Sequence, residues 1–422
     1  MNGSVNQVSR YRAPGVYVES FVARQKKAEF KTGIPAFVGF GKLTAQALKF
    51  YEEPWSRITS WRQFEESVEQ TPEKSFLRYA VRGFFENGGE CCVIVPVSTA
   101  ELTVDALVEP FLDTRSENIS GRDSTGIAGI LEDIEDIDLV CVPDLMMEDF
   151  SVSRDSIMKV QQQILRHCKK MGDRFAILDT FSLSAYEIQK HTFIDSETLN
   201  EVIDHRYHIS GSEGAVYFPW ICIQQGVGDL KQIPPCGHVA GIYARSDAKT
   251  GVFKAPANEI VEGAFDLEGS FTSDQQAELN HAGVNCFRSS PSRGIRVWGA
   301  KTLSVHQHDQ FISTRRLFLT LVRWIGKSMS DLVFEANDSE IWNRIKYRLE
   351  GYCYELFQKG ALKGQSPEEA YYVKCDRELN GIEVRKLGKV ISEVGLAPVV
   401  PAEFIIVRIT QSASGITTTA LS

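Results

Sequence analysis

Residues 137–178, IDLVCVPDLMMEDFSVSRDSIMKVQQQILRHCKKMGDRFAIL, decide the fold class. Ile137–Val142 is an apolar run that stops at Pro143, the length of a buried strand. Ser153 is placed to cap a helix running to about Lys170; Gly172 and Asp173 turn the chain, and Phe175–Leu178 is a second apolar run. Strand, helix and strand in that order are most simply a parallel crossover, because parallel strands need a long connection between them.

Toward the N-terminus the alternation continues. IPAFVGFG (34–41) reads as a buried strand and residues 44–56 as loop. Trp61–Val68 reads as a short helix capped by Ser60. Residues 74–86 form an amphipathic helix stopped by Asn87–Gly88–Gly89, and 91–97 form a strand. Such alternation predicts an α/β layer, in a chain that is α+β overall. A short strand signal, Val16–Tyr17–Val18, follows Pro14–Gly15.

Toward the C-terminus, residues 195–213 read as a polar surface excursion and 215–223 as a strand interrupted by Pro219. Residues 234–263 read mostly as loop, 274–281 as a helix, and 283–288 and 294–298 as strands. Two long amphipathic helices are expected over 311–332 and 339–357. Residues 384–394 look strand-like and 403–409 form a strong strand. The Ser/Thr-rich tail, 411–422, is expected to fray.

Composition narrows the function. Of 422 residues, 43% are hydrophobic and 24% charged, which suits a globular chain of two or three domains. A net charge of −9 disfavours nucleic acid as a partner. No run approaches the length of a membrane span, so direct membrane insertion is not expected. MNGSVNQVSRYRAPG has no apolar signal core, so cytoplasmic synthesis without that export route is expected. Cys141, Cys222 and Cys353, and the adjacent Cys91 and Cys92, lie in apolar runs as buried thiols do.

No catalytic, metal or cofactor constellation is expected. Gly237–His238–Val239–Ala240–Gly241 resembles the stretch around the histidine of subtilisin-like proteases, but the catalytic base position is Pro235 and no matching serine segment follows. His205/His208 and His306/His308 lack a third ligand at zinc spacing. There is no phosphate loop. The acidic run Glu132–Asp138 reads as a solvated face. Arg316, Arg323 and Lys327 share one face of the first late helix, and Arg344 and Arg348 lie one turn apart on the second; both can be read as solvated charge or as docking surfaces for an acidic partner. An α/β hydrolase and a non-assembling binding protein are the alternative classes.

Several stretches resemble contractile tail sheath proteins of phages and phage tail-like injection systems. They are APGVYVES (13–20), IPAFVGFG, ITSWRQFEES (58–67), LRYAVRGFFENGGECCVIV (77–95), LVCVPDL (139–145), AVYFPWI (215–221), GHVAGIYARSDAKTGVFKAPAN (237–258), VFEANDSEIWNRI (333–345), EEAYYVKCDRE (368–378) and VGLAPVVPAEFIIVRI (394–409), collinear over nearly the whole chain. The resemblance implies an inner α+β domain built from an N-terminal arm and first strand (1–45) and a tube-facing C-terminal part (236–410), an inserted outer α/β domain (46–235) and a flexible tail (411–422). It implies a structural, non-enzymatic subunit that assembles helically with itself around an inner tube protein, between baseplate and terminal cap proteins, and contracts to drive the tube through a target envelope.

An exposed strand edge invites a strand from a neighbour, and a head-to-tail contact that does not close builds an open helix. Val16, Tyr17 and Val18, with Phe404, Ile405, Ile406 and Val407, are the expected exchange strands. Arg323, Lys327, Arg344 and Arg348 are the expected tube contacts.

Overall fold

The computed structural model describes residues 30–45, 47, 53–69, 71–97, 126–147, 154–183, 194–226, 229–290, 292–399, 405–412 and 415–421. The chain divides into Met1–Lys31 and Thr32–Ser422, and all the described strands and helices belong to the second unit.

Its centre is an eight-stranded sheet in the order β11-β10-β6-β5-β4-β1-β3-β2. The strands are β1 (Pro35–Phe40), β2 (Ser56–Ile58), β3 (Cys92–Val97), β4 (Leu139–Cys141), β5 (Phe175–Asp179), β6 (Gly214–Phe218), β10 (Val284–Ser290) and β11 (Gly294–Trp298). All pairings between β10 and β3 are parallel; β2 and β11 are antiparallel edges. Strand β1 is buried at every position. A continuous apolar run of this kind suits a central parallel strand covered on both faces.

The predicted crossover is present as β4, helix α4 (Arg154–Met171) and β5. Helices α1 (Trp61–Ser67) and α2 (Leu77–Glu86) lie between β2 and β3 in sequence, α3 (Ile127–Asp133) precedes β4, α5 (Ser196–His208) precedes β6, and α6 (Cys236–Lys249) and α7 (Ser273–Ala282) precede β10. The path steps from β1 to β3 in one direction and from β4 to β6 in the other. With right-handed crossovers this puts α2 and α4 on opposite faces of the sheet.

Strands β7 (Ile221–Gly226), β8 (Asp229–Ile233) and β9 (Ala264–Leu267) form a separate antiparallel sheet in the order β8-β7-β9. The C-terminal part begins with α8 (Ile312–Ser328) and α9 (Ser339–Gln358). Beyond them lie the short helices α10 (Pro367–Ala370) and α11 (Ile382–Lys386), and a sheet in the order β12-β13-β14-β15, comprising Tyr371–Lys374, Val390–Leu396, Ile405–Ser412 and Gly415–Leu421. Ile341, Ile345, Leu349, Cys353 and Leu356 form the buried stripe of α9, and Trp324 of α8 stacks on Tyr352 at 4.1 Å between ring centroids.

Four expectations are corrected. The boundaries at 45/46 and 235/236 cut through the large sheet, because β1 needs β3 and β4 as neighbours and β10 extends the sheet through β6. Residues 195–213 hold α5, capped by Asp195 and buried through Leu199 and Val202. Residues 234–263 open with α6 rather than loop. The tail is not frayed over Gly415–Leu421, which pairs with β14 along its length.

Candidate assembly site

The basic face of α8 turns inward, onto the acidic run. Arg316 makes a two-pronged contact with Asp247 of α6, at 2.8 and 2.6 Å, and its Nη2 lies 3.3 Å from Asp138. Its guanidinium also sits 4.8 Å from the ring centre of Tyr243. Burial works against the charge on Arg316, but the two carboxylates outweigh it and hold the group above the ordinary arginine range. Arg323 is 5% exposed, with Nη1 3.6 Å from Asp138. Lys327 pairs with Asp136, which Arg57 also reaches at 2.8 Å; the Lys327 bond and burial are the leading opposed influences, and the Asp136 carboxyl ends below its usual value.

Arg323 is therefore corrected as a tube contact: the face it shares with Arg316 is interior. Spacing in the sequence showed a common face without showing which way it turned. The complement was the Glu132–Asp138 run, expected to be solvated.

Helix α9 begins at Asp338, whose side chain accepts from the amides of Glu340 and Ile341. Arg348 is turned back onto the segment after α8. It grips Asp331 at 2.6 and 2.7 Å and donates to the Ser328 carbonyl at 2.7 Å. Arg344 stands 3.6 Å from Glu335 with 42% of its side chain exposed, and Tyr347 is 79% exposed. Of the four expected basic contacts, Arg344 is the one placed beside a large exposed side chain on the outer face of α9.

Ile406 and Val407 pair on both sides within the chain, with β13 and with β15, and Ile405 pairs with Leu396 of β13. Among the described residues, β12 and β15 are the edges of that sheet. Val16–Val18 and Phe404 lie outside the described residues.

The remaining candidates resolve into packing. In a doubly wound sheet a ligand sits where the strand order reverses. Here that place, between β1 and β4, is filled by the carboxylate of Asp144. It accepts hydrogen bonds from the amides of Phe40 (2.6 Å) and Leu77 (3.0 Å), from the Phe76 amide, and from the Ser75 hydroxyl (2.8 Å). The chain's own carboxylate thus takes the anion position at the N-terminus of α2. Asp179, at the end of β5, serves α6 in the same way through the Cys236 amide at 2.9 Å. Burial raises both carboxyls, Asp144 to about 6 and Asp179 to about 7.

His238 lies against Gly83, and burial pushes its pKa down to about 4. Gly237 and Gly241 let α6 cross α2 closely: a Cβ at Gly237 would come within 2.3 Å of the Ala80 carbonyl oxygen, and one at Gly241 within 2.4 Å of that of Phe84. The GHVAG stretch is a helix crossing. His205 is buried, bonded to Gln161 at 2.7 Å and stacked on Phe181, while His208 is exposed, so the two do not converge. All nine cysteines are buried. Among the described residues no cluster could hold a metal ion, and no helix is long and apolar enough to cross a membrane.

Three comparisons bear on this architecture. Residues 120–303 match the family model described as the phage tail sheath protein central domain. The tail sheath protein of Salmonella phage ViI is 21% identical over 275 residues, which is 60% of this chain but only 42% of the phage protein. The chain thus aligns with less than half the length of that relative. Two solved structures are similar over nearly their whole length. One is the helical sheath of the anti-feeding prophage in the contracted state (26% identity, TM-score 0.66, 94% of this chain and 98% of that one). The other is the contracted sheath complex of an extracellular contractile injection system, PVC (25% identity, TM-score 0.67, 94% and 96%). A chain from the anti-feeding prophage baseplate structure matches equally well, at 26% identity and TM-score 0.68 over 94% and 98%. The chain is thus similar in sequence and fold, over nearly its whole length, to subunits of contractile sheaths, and its central part matches the phage tail sheath family model.

Proposed function

We propose that the protein is the structural subunit of a contractile sheath, which assembles helically around an inner tube and shortens to drive that tube through a target envelope. The observation that carries this is the end-to-end likeness to a contracted helical sheath, covering 94% of this chain and 98% of the other. A shared central domain alone would not extend to the C-terminal sheet. The subunit acts by changing contacts with its copies, not by catalysis. It meets baseplate proteins at one end of the rod and a cap at the other, and does its work in an assembled particle without entering a membrane or binding nucleic acid.

Neighbours are joined by strand pairing. The segment Val16–Val18, whose sequence signals a strand, and the C-terminal sheet supply it, the latter through its edges β12 and β15 or by a neighbour's strand displacing β15 from β14. The tube contact is through α9, with Arg344 outward beside Tyr347, and with Arg348 and Lys327 at its margin. Charge contacts at a hydrated interface guide register and still release on contraction.

Expression alone and with a candidate tube protein, followed by electron microscopy, tests this. Striated tubes are the expected product, lost on removal of residues 1–20 while the truncated protein stays folded. Monodisperse particles under all conditions, or labelling of a serine by an active-site phosphonate, would overturn it.

A further inference from the structure

The start of the second unit, residues 32–34, and helix α8, which leads to the C-terminal sheet, meet at one buried cluster of charges. At the start of the second unit, Asp138 accepts hydrogen bonds from the amides of Gly33 (2.9 Å) and Ile34 (2.6 Å). The Thr32 side chain lies close enough to Asp247 to work, with Arg316, against the burial that raises the Asp247 carboxyl. Gly33 has φ +74°, and a Cβ there would lie 2.5 Å from Cα of Ala244 in α6. Residues 33 and 34 are thus fixed in direction by a left-handed turn pressed on a helix and by the Asp138 carboxylate just before β4.

From the other side, Arg316 of α8 bridges the same two carboxylates. Its own helix runs on into the C-terminal part, where Trp324 stacks on Tyr352 of α9 and Arg348 grips Asp331. Helix α9 packs in turn on β12 and β13. The Arg316, Asp138 and Asp247 side chains are 3%, 7% and 2% exposed. A cluster so placed resists bending, because opening it leaves charges unpaired in the interior.

We infer that Arg316, with Asp138, Asp247 and Gly33, forms the stiff joint that couples the root of the N-terminal segment to α8 and the C-terminal sheet, so that displacement of one connector moves the other. In a sheath whose subunits are linked at both ends, this joint passes contraction from ring to ring. That last step rests on the proposed sheath assembly; the joint itself does not. Arg316, Asp138 and Asp247 are positioning residues: none contacts a neighbour in this reading.

Hydrogen exchange on the unassembled full chain tests the joint. Arg316→Lys keeps the charge but loses the fork that matches Asp247, and Arg316→Met removes both. Leu279→Ala, in the buried face of α7, is the control for general loss of stability. The Arg316 variants should raise exchange at the Gly33 and Ile34 amides and in the first turns of α8 at least tenfold relative to Leu279→Ala, and Gly33→Ala should loosen the same turns of α8 reciprocally. Unchanged exchange at residues 33–34, or equal loosening in the control, would overturn the joint.

The second arm uses sheaths. Arg316→Lys should give particles in which contraction stops part way along the rod, at least ten times as often as wild type or Leu279→Ala. All-or-none contraction like wild type would overturn the coupling. If wild-type protein forms no sheath at all, the assembly proposal fails while the exchange result still decides the joint.

Discussion

Arg316 and Asp247 form a buried, two-pronged ion pair across 69 residues of sequence, and Asp138 closes the pair into a triad. The positive face that looked available to a partner is consumed inside the subunit. A desolvated pair of this kind contributes little net stability over a well-packed apolar replacement, yet breaking it by removing one partner is expensive.

Arg316→Met should therefore destabilise the monomer by roughly 3–5 kcal/mol, because two carboxylates are left buried without their cation. Arg316→Met combined with Asp247→Leu should recover part of that loss, with Asp138 still held by the Gly33 and Ile34 amides. Urea denaturation of the two single variants and the double variant provides the cycle. Additive losses would show that the residues do not form a pair.

Glycines on the helices divide by what surrounds them. Gly237→Ala drives a methyl group into the backbone of α2 and should cost about 1–3 kcal/mol from overpacking. Gly326→Ala, in α8, meets nothing within 4 Å on an exposed position. It should stabilise by about 0.5–1 kcal/mol through helix propensity. Thermal melts of both report the contrast, and a neutral Gly237→Ala would mean that the α2–α6 crossing can open.

The sequence showed the α/β class through 137–178 and the two late helices through their apolar spacing, since both depend on local periodicity. Helix α6 was hidden because its face toward α2 is glycine: Gly237 and Gly241 read as loop residues until Ala80 and Phe84 are seen against them. The spacing of four between those glycines is the signal that was there to use. Helix α5 was masked by its polar residues, although Asp195 as cap and Leu199–Val202–His205 at helical spacing mark it. The site divides the same way. Which residues shared the α8 face was legible; that the face pointed at Asp136 and Asp138 was not, because inward and outward charge look alike in one dimension.

Asp179 gives a pH dependence with a definite sign. Its folded pKa is about 7 against an ordinary 3.8, so the folded state holds the extra proton between those values. Its contribution is thus most favourable at low pH, weakens as pH rises from about 4 to 7, and stays low above that. His205, pushed down to about 3, and His167 and His238, to about 4, act oppositely: their contribution is present above pH 6.5 and is lost as pH falls toward 4. Asp179→Asn keeps an acceptor for the Cys236 amide without the charge. It should be more stable than wild type at pH 8, with the advantage shrinking by about 1.4 kcal/mol per pH unit on acidification between 7 and 4. A pH-independent difference in melting free energy would show that Asp179 is not the titrating group.

Charge reversal separates the inward from the outward basic residues. Arg323→Glu places a carboxylate beside Asp138 in the interior, with Arg323 itself only 5% exposed. The protein should lose several kcal/mol or fail to fold, independent of any tube. Arg348→Glu breaks the grip on Asp331 and the bond to the Ser328 carbonyl, and should cost about 1 kcal/mol in the monomer. Arg344→Glu gives up only a 3.6 Å contact with Glu335 at the surface, so the monomer should melt within about 0.5 kcal/mol of wild type. In assembly the order inverts. Exposed ion pairs contribute only about 0.2–1 kcal/mol each, but every subunit along a rod repeats the contact. Arg344→Glu should shift particles from extended, tube-filled sheath toward empty or contracted sheath, and raised salt should reproduce the shift in wild type by screening. Counting extended and contracted particles by electron microscopy at two salt concentrations is the measurement. Normal extended particles from the folded Arg344→Glu protein would remove α9 as the tube contact and leave Arg344 a solvated charge.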